Sequence, residues 1–199
     1  MKKALLIASA IALLCYSCDK DTTPTPTPIP RIIPITTLGA NYLGGIVFYI
    51  DVTGQHGYVC TPTDISTGAM WQIGGMSQIF TDISVDITSL GKGQSNTTFI
   101  TTHYGAGNYA AYICDTCTVN GYSDWYLPSR DELNQIYQGL YHTSHALLPT
   151  TYYSSSSEDG DNAMWELYMW VSSGTTVGTE EAGVNNKQRL DHVRAIRTF

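Results

Sequence analysis

The sequence predicts an α+β fold with short antiparallel sheets, two to three helices and long loops. Three observations predict it. Apolar strand-like runs stand near the start of the folded region, at residues 46–50 and 58–60, and again at its end, at residues 189–199. A helix with clear start signals occupies the middle, from Ser129 to Leu140. Residues 163–171 alternate with a period of two, as a strand does. Strands at both ends with helices between them suit a sheet in which the two ends of the domain meet.

Taken in order, residues 1–17 read as a signal peptide: Lys2 and Lys3 precede an apolar run from Ala4 to Leu14, too short to stay as a membrane span. Cys18 follows the small Ser17 and resembles the lipidated cysteine of a bacterial lipobox. Leu14 is too large for good cleavage before Cys15, which favours Cys18. Asp19-Lys20-Asp21 resembles the short acidic tag that sends some lipoproteins to the outer face of the outer membrane. Residues 18–38 form a linker in which Thr and Pro alternate, an extended spacer of polyproline II type. Residues 39–199 are the folded domain.

Within that domain, residues 46–50 and 58–60 read as a hairpin around the polar, glycine-containing residues 51–57. Trp71 is expected to pack beneath the turn that follows. Residues 74–93 lack a period and read as an excursion loop. Residues 96–103 and 108–117 are expected as short helices. Phe99, Ile100 and Tyr104 would face inward on the first, and Tyr109, Tyr112 and Ile113 on the second. Trp125 and Leu127 alternate in an extended run that Pro128 keeps out of the helix. Ser129 and Glu132 then make a capping box, each bonding to the other's amide. Leu133, Ile136, Tyr137 and Leu140 give the helix one apolar face, and Gly139 is a candidate helix end. In residues 163–171, Ala163, Trp165, Leu167, Met169 and Val171 form one apolar face. Met164, Glu166, Tyr168 and Trp170 form the other, expected to face outward. Residues 180–189 read as a polar loop, and 189–199 as a closing strand.

Four stretches carry a family resemblance. Gly121-Tyr122-Ser123-Asp124-Trp125-Tyr126-Leu127-Pro128-Ser129-Arg130-Asp131-Glu132-Leu133 resembles the signature of the DUF1566 family, also called the Lcl C-terminal domain family. Gly44 to Asp51 with Gly54-Gln55-His56-Gly57 is similar to its opening hairpin. Tyr152-Tyr153-Ser154-Ser155-Ser156-Ser157-Glu158 is similar to its serine strand, and Val193 to Phe199 to its terminal strand. The resemblance covers residues 39–199. It implies a C-type-lectin-like fold, related to that of the formylglycine-generating enzyme, in an extracellular module; some relatives are adhesins that bind glycans.

Composition narrows the function classes. The net charge is −7, and loss of Lys2 and Lys3 with the leader makes the chain more acidic, so its overall field disfavours nucleic acid and other polyanions. Fourteen tyrosines against 14% charged residues suit recognition by stacking and hydroxyl hydrogen bonds. Cys60, Cys114 and Cys117 remain in the folded region, and an oxidising compartment favours one disulfide among them. Cys114-Asp115-Thr116-Cys117 lacks the βαβ context of a thioredoxin-like pair. The sulfatase-modifying activity of the related enzyme needs a cysteine pair in the C-terminal half, and no cysteine follows Cys117. Glu158, Asp159, Asp161 and Asn162 are dense enough in oxygen for calcium, but no Glu-Pro-Asn or Gln-Pro-Asp triplet accompanies them, and they read as a solvated turn. His142 and His145 read as loop residues rather than metal ligands. Arg194 and Arg197 are expected to pair with carboxylates such as Asp124 or Glu132, rather than to form an anion site with Lys187 and Arg189.

These readings converge on a lipid-anchored module at the outer membrane that acts by binding a glycan or a protein on another surface. The expected ligand contacts are Tyr168, Trp170, Asn185, Asn186 and Lys187. No catalytic residue, metal or cofactor is expected, and the membrane is met through the lipid alone. The alternative is a structural or fimbrial accessory subunit, which would show an exposed apolar patch or an open strand edge.

Overall fold

The computed structural model describes residues 37–73, 88–140, 149–160, 163–171 and 177–199, with the backbone alone for 170–171 and 177–186. In chain order the strands are β1 (Asn41–Tyr42), β2 (Gly45–Ile50), β3 (Gly57–Cys60) and β4 (Ser66–Ala69). The helices α1 (Gly93–Tyr104), α2 (Ala110–Thr116) and α3 (Arg130–Leu140) follow. The chain closes with β5 (Thr151–Glu158), β6 (Ala163–Val171), β7 (Val177–Asn186), β8 (Asp191–Val193) and β9 (Ile196–Thr198).

Two sheets result. The first has the order β1-β2-β3-β9, so the opening hairpin and the last strand of the domain do meet. The second has the order β4-β8-β5-β6-β7, antiparallel except where β5 and β8 run parallel at Tyr153 and His192. The fold is α+β, as expected. The single closing strand expected over 189–199 is in fact two strands, one in each sheet, with Arg194 and Ala195 between them.

α3 forms where its start signals are. The Ser129 amide donates to Glu132 Oε2 at 2.8 Å and the Glu132 amide to Ser129 Oγ at 3.3 Å, the reciprocal capping box. The Glu132 carboxylate is fully buried and also accepts from the amides of Gly91 (2.9 Å) and Gly93 (3.1 Å), so it ties the start of α1 to the start of α3. A side chain at Gly93 would collide with Glu132. Gly139 does not end the helix, which continues to Leu140. Its hydrogen lies against the Phe48 carbonyl, where a Cβ would not fit, and this lets α3 pack closely on β2.

Two apolar clusters fill the interior. One holds Trp71, Ile100, Tyr109, Trp125, Leu127 and Met164. The other sets the apolar face of α3, with Leu133, Ile136 and Leu140, against Phe48, Tyr153 and Leu167. Phe99 departs from the expected inward face and is 45% exposed; it stacks on His103 one turn away, while Ile100 takes the core position.

The serine strand sits inside because hydroxyls join neighbouring elements there. The Ser156 amide donates to the Pro128 carbonyl at 2.7 Å and Asn96 Nδ2 to Ser156 Oγ at 3.3 Å. The Arg130 amide donates to Ser157 Oγ at 3.0 Å, and Trp71 Nε1 to the Ser155 carbonyl at 2.8 Å. A short hydroxyl satisfies a buried amide without displacing apolar volume.

β6 matches its expected bounds but not its expected faces. Met164 and Glu166, placed on the outward face by alternation, are both buried. The pairing with β7 shifts register between Met164 and Glu166, and that with β5 between Ser154 and Glu158, so strict alternation breaks there. Among the described residues no helix is long and apolar enough to cross a membrane.

Candidate functional site

The second sheet brings an aromatic row to the surface. Tyr152 on β5 lies opposite Tyr168 on β6, and their rings tilt together at 4.5 Å between centroids. The Arg189 guanidinium sits 3.3 Å above the Tyr152 ring, a cation–π contact. Below the row, Arg189 Nη1 donates to Glu166 Oε1 at 2.7 Å, and its Nε lies 3.1 Å from Asp191 Oδ1. Ser154 Oγ reaches Asp191 Oδ2 at 3.5 Å. Burial pushes the Asp191 carboxyl above its ordinary range, opposed by Glu166 and Arg189. Arg189, a third exposed, therefore links two buried carboxylates to a surface row of tyrosines.

Tyr168, half-buried in this row, is the one expected ligand residue whose side chain the structure sets at the surface. Lys187 is not there. It is fully buried, ion-paired with Glu158, with its ammonium 4.9 Å from the centre of the Trp71 ring. Its carbonyl accepts from the Trp71 amide at 2.9 Å, which holds the segment inward. Asn185 and Asn186 are not in a loop. They end β7, the ten-residue strand that replaces most of the loop expected over 180–189. The register separates them from Trp170: Asn185 lies opposite Met164 and Asn186 opposite Ala163, at the start of β6, while Trp170 lies opposite Gly178 near its end. At about 3.3 Å per residue, that is roughly 20 Å along the sheet. The five residues do not form one patch. The side chains of Trp170, Asn185 and Asn186 lie outside the described ones.

Other charged groups close on one another. Asp64, which the sequence did not single out, accepts from Tyr153 Oη (3.1 Å) and Arg194 Nε (2.8 Å) and lies 2.7 Å from His192 Nδ1. Arg194 also donates to the carbonyls of Thr61 and Pro62. Arg197 pairs with Asp124, one of the two acids named as candidate partners, in a fork: Nε to Oδ1 and Nη2 to Oδ2, both at 2.7 Å. Arg194 pairs with Asp64 rather than Glu132, whose oxygens are held by backbone amides.

The expected disulfide is absent among the described residues: Cys60, Cys114 and Cys117 are all free. Cys60 belongs to the α3 cluster and Cys114 to the Trp71 cluster, so separate cores hold them. Burial pushes the Cys60 and Cys117 thiols up to about 11, which keeps them protonated and poor nucleophiles at neutral pH. Among the described residues no three His, Cys, Asp or Glu side chains gather to hold a metal. Glu158, first of the calcium-like run, is turned inward to Lys187. Asp161, Asn162, His142 and His145 lie outside the described residues.

An open groove of 520 Å³ lies at the edge of the first sheet, rimmed by Tyr49, Asp51, His56, Tyr58 and Phe199. Tyr49, Tyr58 and Thr198 occupy one row across β2, β3 and β9. The Tyr49 and Tyr58 rings tilt together at 5.4 Å. Gly57 has no side chain because the Phe199 ring and the Tyr49 carbonyl occupy that space. Asp51 Oδ1 accepts from the Thr53 amide (3.0 Å) and hydroxyl (2.7 Å), which hold its carboxyl below the ordinary carboxylate value. Burial pushes the Tyr58 hydroxyl up to about 12. Among the described residues, the Tyr49 and Tyr58 hydroxyls and the His56 ring have no hydrogen-bond partner. The sequence signal for this groove was an aromatic at each end of the hairpin, but Phe199 arrives from far along the chain.

No family model matches the chain, and no curated protein does. Among solved structures, it is similar to a fimbrial protein from Bacteroides ovatus ATCC 8483, with a TM-score of 0.46 and 16% identity over 76% of this chain. The match takes in 43% of that protein, so the chain spans less than half of its length.

Proposed function

We propose that this protein is a surface-held module that works by contact, as a structural or assembly subunit, rather than by catalysis. One observation carries this reading. β7 is ten residues long, pairs with β6 on one side, and ends the second sheet among the described residues. The other sheet ends, β1, β4 and β9, are two to four residues long. A long open edge offers amides and carbonyls to a partner strand, and the Tyr168–Tyr152–Arg189 row beside it adds apolar contact area. The pairing of buried acids and bases with one another supports a frame rather than a reaction centre. Lipidation at Cys18 and the Thr/Pro spacer over 18–38 would hold the domain off the outer membrane, where such contacts are made. The DUF1566 resemblance belongs to the same reading, as a C-type-lectin-like scaffold.

Glycan binding is the second reading, favoured by the half-buried Tyr168 ring beside Tyr152, with the Arg189 guanidinium lying over Tyr152 as a donor for sugar hydroxyls. Photo-crosslinking on intact cells separates the two. With benzoylphenylalanine in place of Tyr168 or of Glu180, which lies opposite it on β7, the assembly reading expects one discrete protein adduct from both sites and none from a probe at Gln138 on α3. An adduct removed by glycosidase, together with glycan-array binding that Tyr168→Ala abolishes, would replace it with the second reading. No adduct from either site and no glycan bound would remove both.

A further inference from the structure

The groove at the edge of the first sheet lies apart from the β6–β7 side and does not depend on the contact reading. Its chemistry is specific. Two tyrosine rings, one phenylalanine ring and one carboxylate line the groove. Tyr49 and Tyr58 tilt together at 5.4 Å, and Phe199 closes the third side because Gly57 leaves room for its ring. Asp51 stands at the rim, fixed by its own turn: Oδ1 takes the Thr53 amide and hydroxyl and, at 3.4 Å, the His56 amide.

We propose that this groove binds a small quaternary ammonium cation of the choline type. Aromatic faces attract a cation through their quadrupoles, most of all one with a weak hydration shell. A quaternary ammonium needs no hydrogen-bond acceptor, which suits a carboxylate whose Oδ1 is already occupied by three donors. A primary ammonium could also reach Asp51 Oδ2, but it would give up a strong hydration shell to sit among aromatic rings, which a quaternary ammonium does not have to do. The charge balance agrees, since Asp51 supplies an anion within a chain of net charge −7. The volume of 520 Å³ admits a trimethylammonium group with its short alcohol tail, and the free hydroxyls of Tyr49 and Tyr58 can meet that tail. The hydroxyl of Tyr58, pushed up to about 12, stays neutral and donates.

The test is a titration of the full chain, in a detergent without choline headgroups, with choline chloride and with its neutral carbon analogue 3,3-dimethylbutanol, followed by NMR shifts of the tyrosine rings. Choline is expected to bind saturably with shifts at Tyr49 and Tyr58, and the neutral analogue to bind at least about tenfold more weakly. Asp51→Asn keeps the turn, because Asn accepts the same local bonds, and removes the charge; it is expected to weaken choline about tenfold. Tyr49→Leu is expected to weaken it about fivefold, and Tyr168→Ala to leave it unchanged. Equal binding of the neutral analogue, an unchanged affinity in Asp51→Asn, or no saturable choline binding by the wild-type chain would each overturn the proposal.

Discussion

The β5–β6–β8 part of the second sheet and the groove rim of the first sheet carry similar residues, acids, tyrosines, a histidine, and opposite bonding. Around β5, β6 and β8, Asp64, Glu158, Glu166 and Asp191 each face a cation: Arg194, Lys187 and, for the last two, Arg189. At the rim, Asp51 bonds only within its own turn, and two tyrosine hydroxyls and an imidazole have no partner among the described residues. Composition alone would rank the first region as the active one, since it holds more charge. Bonding reverses the ranking. A buried charge stays in a fold because its partner is fixed, and a fixed partner leaves nothing for a ligand. Charged groups available for recognition are those the fold does not already pair, so on the second sheet contact falls to the Tyr152–Tyr168 rings and the β7 edge.

The largest expected effect tests the closed region. Lys187→Ala leaves the Glu158 carboxylate buried without its cation and should cost about 3–5 kcal/mol in urea denaturation. The double change Lys187→Met with Glu158→Leu should recover most of that, because a neutral pair of similar volume needs no counter-charge. A loss below about 1 kcal/mol for Lys187→Ala would break the comparison, since the pair would then not be holding the segment inward.

Asp64→Asn comes next. It removes the charge that faces Arg194, and Asn has a single acceptor oxygen for Tyr153, His192 and Arg194 to share. The carbonyls of Thr61 and Pro62 still hold Arg194 Nη1, at 3.0 and 3.2 Å. The expected loss is therefore smaller, about 2–3 kcal/mol by the same measurement.

Asp124→Asn sharpens the comparison at its boundary. The Arg197 fork is well formed, but the Asp124 side chain is 53% exposed, so water screens it and the expected loss is only about 0.5–1 kcal/mol at neutral pH. Arg197 holds the folded carboxyl below its ordinary value of 3.8. The contribution is thus present above 3.8 and is lost as pH falls from there through the lower folded value. Denaturation midpoints of the variant and the wild type should converge over that acid window and stay parallel above it.

What the sequence made legible follows the range of each interaction. The α3 capping box was legible because Ser129 and Glu132 are three residues apart and bond to each other's amides. The Arg197–Asp124 fork was legible because a strand arginine in a core needs an acid, and Asp124 stands in the adjoining extended run. Asp64 was not: Arg194 was marked as needing an acid, but the one it takes is 130 residues away and nothing local marks Asp64 as that acid. β7 was misread as a loop because Gly178, Gly183 and two glutamates give it poor strand propensity; pairing along β6 decides its state instead. Lys187, read as part of the same loop, is instead drawn inward by Glu158, a partner that its local sequence does not reveal. The cysteines show the same limit, since a common compartment says nothing of which core each thiol enters.

The smallest effect on stability is expected at the rim, and there a null result is informative. Asp51 is only half-buried and its bonds are to Thr53 and His56 of its own turn. Asparagine supports that turn equally well, so Asp51→Asn should leave the neutral-pH denaturation midpoint where it was. The sign at low pH is fixed by the turn. Hydrogen bonds to the ionised carboxylate hold its folded value below 3.8, so the wild type loses a little stability as pH falls through that region and the variant does not. Above it the two curves should coincide. If Asp51→Asn instead lowers the midpoint at neutral pH as Asp64→Asn does, the rim carboxylate is part of the frame. The distinction between a closed sheet and an available groove would then fail at the residue on which it most depends.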